Sequence, residues 1–308
     1  MRILFVAPNQ IHRYNSGHQR FRNEIANYHD VCFVGPGWGD WPKDKPGHVA
    51  VPDLVDQFSA DIVMTYSLKY TTPIALHLDE VKVPKIHFLD DFVPGIGNYP
   101  GYIPQYSKWL REVPQDILFC RTQRVLDIVV KEKLAPKAFL LPFSIDPDRF
   151  KPPADYMQPR SIDIFAGMSL VKDVYPNRPQ VLAMLRREFP NSITTRVFDF
   201  EYVAMMQNAK IVVNSMNVWK SFNFKMLEGP ACGAVLMTDR PQDENGFVHG
   251  QNCLNYSNAA DMARKIRQLI SHPVELQSLA TRGQVFVHKH HTNQVRVAEM
   301  SEILRREL

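Results

Sequence analysis

Two pairs of residues in this chain have the types and spacing for chemistry. In "KSFNFKMLEGPACGAVLMTD", residues 220–239, Lys225 and Glu228 stand three apart, so a helix there carries both on one face. Pro230-Ala231-Cys232-Gly233 ends such a helix sharply, and residues 234–239 read as a buried strand. An ionised carboxylate only accepts hydrogen bonds and an ammonium only donates them, so the pair offers both to one ligand. The second pair lies near the N-terminus. Gly17-His18 opens a helical stretch after the first strand, and Asp90-Asp91 follows a later strand. An aspartate beside an imidazole orients the ring and stabilises its protonated form. Each pair also has a plain structural reading. Lys225–Glu228 would be a surface pair of little energetic weight, and His18 and Asp90-Asp91 would be helix-start and turn residues.

The elements that position these pairs follow from hydrophobic periodicity. Short apolar runs at residues 3–7, 31–35, 62–66, 85–89, 117–120 and 139–142 read as strands. Helical patterns lie between several of them, at 19–28, 73–81 and 122–133. Residues 142–153 are proline-rich and extended, which predicts a linker. A second series follows, with strands at 162–165, 194–198, 211–214 and 234–238 and a short apolar run at 253–256. Its helices are expected at 178–188, 201–207, 259–271 and 275–288, and an amphipathic helix at 294–305 ends the chain. Alternating strands and helices predict an α/β class with two doubly wound Rossmann-like domains facing across a cleft. The boundaries expected are 1–145, 146–293 and a C-terminal helix, 294–308, packing back on the first domain. In such sheets ligands bind outside the carboxyl ends of the strands, where both pairs fall.

Composition narrows the class. The chain has 308 residues, 45% of them hydrophobic, which suits two domains with sizeable cores. No apolar run reaches the roughly 18 residues of a membrane helix, and the start, MRILFVAP, reads as a first strand rather than a leader. Cys32, Cys120, Cys232 and Cys253 are far apart with no metal-ligand spacing, which predicts free thiols in a reducing cytoplasm. A charge of +4 permits a polyanionic partner without demanding one. Neither first strand is followed by a GxGxxG turn, and no Walker-type loop occurs, so dinucleotide and P-loop chemistry are set aside. Gly35-Pro36-Gly37-Trp38-Gly39 reads as a mobile loop, and His288, His290 and His291 as a solvated helix end. The loop 94–109, with Tyr99, Tyr102, Tyr106 and Trp109, reads either as a stacking surface or as packing for an irregular lid.

Glu228-Gly229-Pro230-Ala231-Cys232-Gly233, followed by a strand ending Thr238-Asp239, resembles a segment of GT-B glycosyltransferases of the group 1 and CgeB-like (spore maturation protein) kind. Further likenesses run in order: Leu141–Phe150 to the family's interdomain link, residues 202–214 to its helix and strand before the donor site, Asp243-Glu244-Asn245-Gly246, Ser271-His272-Pro273, Arg282-Gly283, and His291-Thr292 with Arg296. The resemblance is good from about residue 140 onward and weak before it. It implies that Glu228 accepts hydrogen bonds from the ribose hydroxyls of a nucleotide-sugar donor. Its diphosphate would lie on the amides of Phe222, Asn223 and Phe224 with Lys225 adding charge. Lys172, after the Gly167 turn, is similar to the family's phosphate-facing base. Gly17-His18 resembles the position where inverting members carry their general base, with Asp90 or Asp91 as its partner. Many retaining members carry a second glutamate eight residues before the ribose-binding one, and here that position is Lys220, which cannot stabilise a cationic sugar transition state as a carboxylate would.

The leading function is therefore transfer of a sugar from a nucleotide-sugar donor to an acceptor hydroxyl, in the cytoplasm, with no metal and no cofactor beyond the donor itself. A sugar-nucleotide epimerase of the same fold and a non-catalytic two-lobed binding protein stand as alternatives. The acceptor is open among small molecules, proteins, glycans and modified DNA. Arg13, Arg20, Arg22, Lys108 and Arg111 keep DNA among them. Oligomeric state is not legible.

Overall fold

The computed structural model of the chain describes residues 1–11, 17–39, 49–67, 74–90, 92–99, 101–154, 159–241 and 245–308. It divides into two compact units, Met1–Pro142 with Arg296–Leu308, and Phe143–Val295.

The first unit is built on β1 (Arg2–Val6), α1 (Gly17–Ile25), β2 (Asp30–Val34), β3 (Val49–Ala50), α2 (Val51–Phe58), β4 (Ile62–Tyr66), β5 (Ala75–Leu76), β6 (Lys85–Leu89), α3 (Ile103–Glu112), β7 (Ile117–Cys120), α4 (Gln123–Lys131) and β8 (Lys137–Leu140). Its main sheet is parallel in the order β2-β1-β4-β6-β7-β8, while β3 and β5 pair separately. The chain steps from β1 to β2 on one side and then back to β4 on the other, so a switch point lies between β1 and β4. Alternation along each strand sends side chains to two cores. Ile3 and Phe5 pack with Phe21 and Ile25 of α1, while Leu4 and Val6 pack with Val51 and Val55 of α2. Both faces are covered, so these strands read as near-continuous apolar runs.

The second unit contains β9 (Ile162–Phe165), α5 (Arg178–Glu188), β10 (Ser192–Ile193), α6 (Asp199–Asn208), β11 (Ala209–Asn214), α7 (Lys225–Ala231), β12 (Val235–Asp239), β13 (Leu254–Tyr256), α8 (Ala259–Ile270) and α9 (Pro273–His290). Its sheet is parallel in the order β10-β9-β11-β12-β13, which puts the switch point between β9 and β11. Ile164, Ile211 and Val235 face α5 and α8, and Phe165, Val212 and Leu236 face α6 and α7. A final helix, α10 (Asn293–Glu307), places Val297, Met300 and Leu304 in the first unit's core beside Ile3 and Ile62.

Several expectations need correction. No helix forms over residues 74–81, which hold β5 and a short 3-10 turn, Leu78–Glu80; His77 takes a left-handed φ of 57° that breaks helical continuity (Pro73 lies outside the described residues). The strand expected at 194–198 does not form: pairing with β9 stops at Ile193, and beyond it Thr195, Arg196 and Phe198 are exposed. The 94–109 stretch is not a lid over its second half: α3 buries Tyr106 and Trp109 in the core. The 35–39 loop is pinned rather than mobile. Trp38 stacks on Phe33 at 4.6 Å and donates from Nε1 to the Ala7 carbonyl at 2.9 Å. His291 is buried against Phe247 and accordingly not part of a solvated helix end.

Candidate active site

In the second unit the carboxyl edge of the sheet gathers a set of buried charges. Helix α7 lies close on β11 because Gly229 has no Cβ; one built there would come within 2.9 Å of the Val212 Cβ. Gly233 leaves the helix with φ +78°, and the Arg160 guanidinium bonds the carbonyls of Gln207, Ala209 and Cys232 at 2.8–2.9 Å, fixing the helix end. Helix α7 starts at Lys225 with Phe224 at its N-cap, so Phe222 and Asn223 precede the helix instead of opening it. The Asn223 carbonyl accepts from the Met226 amide at 3.1 Å, and Phe222 is anchored in the core.

Glu228 is buried, and its Oε2 accepts a hydrogen bond from the Tyr202 hydroxyl at 2.7 Å. Burial pushes its carboxyl above the usual range, with the Tyr202 bond and the Lys225 charge opposing. Lys225 is half-buried and donates from Nζ to the Gly167 carbonyl. Desolvation, then the charge of Arg178, pushes its ammonium down to about 7, with Glu228 opposing. The two residues are therefore not a surface ion pair. Each is turned to a different partner, Tyr202 for Glu228 and the Gly167 carbonyl for Lys225, and both retain capacity for a ligand. Gly167 also needs its lack of side chain, since a Cβ would meet the Phe165 ring at 2.6 Å. Lys172 stands exposed in the turn beyond, apart from these contacts.

Arg178 was missed by sequence reasoning. Its Nε donates to the Ser215 carbonyl at 2.8 Å and its Nη1 to Ser169, at 2.8 Å to the carbonyl and 3.1 Å to the hydroxyl. It thus ties the loops after β11 and β9 together across the switch point. The only sequence sign was a basic residue at the start of the helix after β9. Lys220 forms an ion pair with Asp239 at the end of β12, whose Oδ1 also accepts from the Met216 amide at 2.8 Å.

In the first unit, His18 and Asp90 come together from sequence positions 72 apart: His18 Nδ1 lies 3.5 Å from Asp90 Oδ2. His18 is in the first turn of α1, at the β1/β4 switch point, and keeps partial exposure; Asp90 follows β6 and is buried. Asp91 lies outside the described residues. Arg121, directly after β7, donates from Nε to Asp90 Oδ1 at 2.9 Å. Its Nη1 donates to the Leu141 carbonyl at 3.2 Å, and its guanidinium lies 5.0–5.1 Å from the rings of Phe88 and Phe21. Burial opposes the charge on Asp90, but Arg121 first, then His18 and the Tyr66 hydroxyl, hold its carboxyl below the usual range. The Tyr66 ring is 5.0 Å from His18 and 4.8 Å from the Arg22 guanidinium. Arg121 and Tyr66 were not singled out from sequence. Their signal was position, at the ends of β4 and β7, the two apolar strands that flank β6.

Among the described residues no cluster of three or more His, Cys, Asp and Glu could hold a metal, and no helix is long and apolar enough to cross a membrane. None of the four cysteines forms a disulfide.

Comparison with solved structures decides the architecture. Over 99% of this chain and 98% of the other, it superposes on a sucrose-phosphate synthase from Thermosynechococcus elongatus with a TM-score of 0.69 at 11% identity. The chain has the GT-B fold. Two further GT-B relatives are an Anabaena HepE protein in complex with UDP and glucose (TM-score 0.64, 12% identity, 99% of each chain) and an alpha-glucosyltransferase in complex with UDP-glucose and DNA containing an abasic site (TM-score 0.66, 12% identity, 99% of this chain and 98% of that one). Residues 173–302 of this GT-B chain match the family model described as glycosyl transferase-like. That stretch contains Arg178, Lys220, Lys225 and Glu228, and so covers most of the second unit's charged edge. No curated protein matches the sequence.

Proposed function

We propose that this chain moves a sugar from a nucleotide-sugar donor to an acceptor hydroxyl, with the donor held by the second unit and the acceptor activated by the first. The observation that carries the reading is the pair of buried Glu228 and half-buried Lys225 at a sheet's carboxyl edge, inside the segment that matches a glycosyltransferase family model. A ribose presents two vicinal hydroxyls, and the carboxylate of Glu228 accepts from them while Tyr202 holds it in place. Lys225 neutralises the diphosphate. Relatives of this fold bind UDP and UDP-glucose, so a uridine diphosphate sugar is the first donor to test. One relative engages DNA, which keeps DNA among the acceptors. Within the class we place the chain with the group 1 and CgeB-like enzymes, acting in the cytoplasm without a metal. Gly167 and Asn223 belong to the donor side; Lys172, exposed beyond it, takes at most a peripheral part.

In the transfer step His18 Nε2 takes the proton of the acceptor hydroxyl. The acceptor oxygen bonds the anomeric carbon as the bond to the diphosphate oxygen breaks, and the diphosphate leaves with the electron pair. Asp90, on Nδ1, steadies the imidazolium that forms. Attack from the face opposite the leaving group inverts the anomeric configuration, a reading supported by Lys220 and its Asp239 ion pair at the place where a retaining carboxylate would be needed. The test is to follow UDP release and product anomer from UDP-glucose, with water or a panel of hydroxyl acceptors including hydroxymethylated DNA. Turnover with inversion is expected, and His18→Ala should lose roughly a hundredfold to ten-thousandfold in kcat while donor affinity holds. Retention, or near-normal turnover in His18→Ala, removes His18 from the mechanism. Loss of turnover on chelation, restored by a divalent ion, overturns metal independence.

A further inference from the structure

Asp90 has more structure built around it than a turn residue needs. One of its oxygens takes a buried 2.9 Å bond from Arg121, while the other is left facing His18 at 3.5 Å. Arg121 is itself held: the Leu141 carbonyl accepts from Nη1, and the guanidinium packs 5.0–5.1 Å from the rings of Phe88 and Phe21. A guanidinium's planar fork transmits such fixation to the carboxylate it binds, which a flexible ammonium does not. Tyr66 closes the arrangement from the end of β4, with its hydroxyl toward Asp90 and its ring against His18. The charged and titratable groups facing Asp90 are thus His18 from α1, Tyr66 from β4, His87 from β6 and Arg121 after β7. Arg22 stands behind Tyr66, and Arg296 of α10 interacts with Arg121.

Resting on the reading of His18 as the base, we propose that Arg121 is the positioning residue that fixes His18 as a base: it locks the Asp90 carboxylate in its ionised form and in the one orientation that places Oδ2 on His18 Nδ1. The neutral ring then carries its proton on Nδ1 and presents Nε2 to the acceptor. Arg121 does not touch the substrate. It works as an electrostatic and geometric clamp, with Tyr66 contributing the second hold. Without Arg121, Asp90 would lose the strongest partner of its charge, leaving only His18 and the Tyr66 hydroxyl against the cost of burial. It would take up a proton, and a protonated carboxyl would donate to His18 Nδ1, which forces the ring proton onto Nε2 and blocks the base.

The experiment uses the full chain, uniformly labelled with 15N-histidine, in wild type, Arg121→Lys, Arg121→Met, Tyr66→Phe and His18→Ala. The imidazole 15N shifts report the tautomer directly, and His18→Ala assigns the resonance. Wild type should show His18 protonated on Nδ1. Arg121→Met should move its neutral form toward the Nε2 tautomer and cut kcat tenfold or more, with the donor KM changing less than twofold. Arg121→Lys should restore part of both. If Arg121→Met does not fold, Tyr66→Phe, which removes one hydroxyl, should show the same shift in smaller measure. An unchanged His18 tautomer and pH–rate profile in the folded Arg121 variants, with His18→Ala inactive, overturns the clamp and leaves the base reading standing. Full activity of His18→Ala overturns the base reading itself.

Discussion

At the scale of single residues, the charged edge of the second unit's sheet takes ionisable groups out of water and compensates them incompletely. Lys225 is the clearest case. Desolvation and the nearby charge of Arg178 lower its ammonium to about 7, and the partner it bonds is a neutral carbonyl. A bound diphosphate supplies the missing negative charge and raises that value again. The sign follows. At pH 8 the empty site holds a largely neutral Lys225, so binding must draw in a proton. At pH 6 the lysine is already charged and no uptake occurs. Calorimetric titration of UDP at pH 8 in buffers of differing ionisation enthalpy should therefore give buffer-dependent heats, uptake should vanish near pH 6, and affinity should weaken as pH rises above about 7. Buffer-independent heats at pH 8 would mean Lys225 does not meet the phosphates. His87 illustrates the contrary use of burial: fully enclosed in β6, bonded to Thr65 at 2.7 Å and held down to about 3, it stays neutral and serves the core.

At the scale of elements, what places Glu228 is the close seat of α7 on β11. Substituting Gly229 by leucine asks Val212 to yield where a bare Cβ already comes within 2.9 Å. Overpacking of this kind costs about 1–3 kcal/mol, and lifting the helix displaces the neighbouring Glu228 as well. Urea denaturation and donor affinity should both worsen; a variant with unchanged stability would show the contact to be loose. The strands and the helix carrying this pair were legible beforehand, because buried parallel strands are continuous apolar runs and Pro230-Gly233 punctuates the helix end. The juxtaposition of His18 with Asp90 was legible as a shared sheet edge. Arg121, Tyr66 and Arg178 were not, since their roles come from which strands lie side by side, and one sequence does not state strand order. The failures at residues 74–81 and 194–198 share a cause. There a single left-handed residue or the lack of a pairing, buried stretch overrules a local pattern that fits a helix or strand.

At the scale of the whole molecule, the chain builds two doubly wound sheets, each with its own switch point and its own charged edge. It ends with α10, whose Val297, Met300 and Leu304 complete the first unit's core, so that unit is assembled from both ends of the sequence. This division of labour gives the proposal its form, with donor chemistry carried by residues of the second unit and proton transfer by residues of the first. The central claim is that Glu228 holds the ribose of a nucleotide-sugar donor. Titrating UDP into wild type and Glu228→Gln by calorimetry tests it most directly. The account predicts binding to wild type and a loss of about 1.5–3 kcal/mol in the variant, roughly tenfold to a hundredfold in Kd, with the melting temperature of the empty protein little changed. Equal affinity in the two proteins would contradict it.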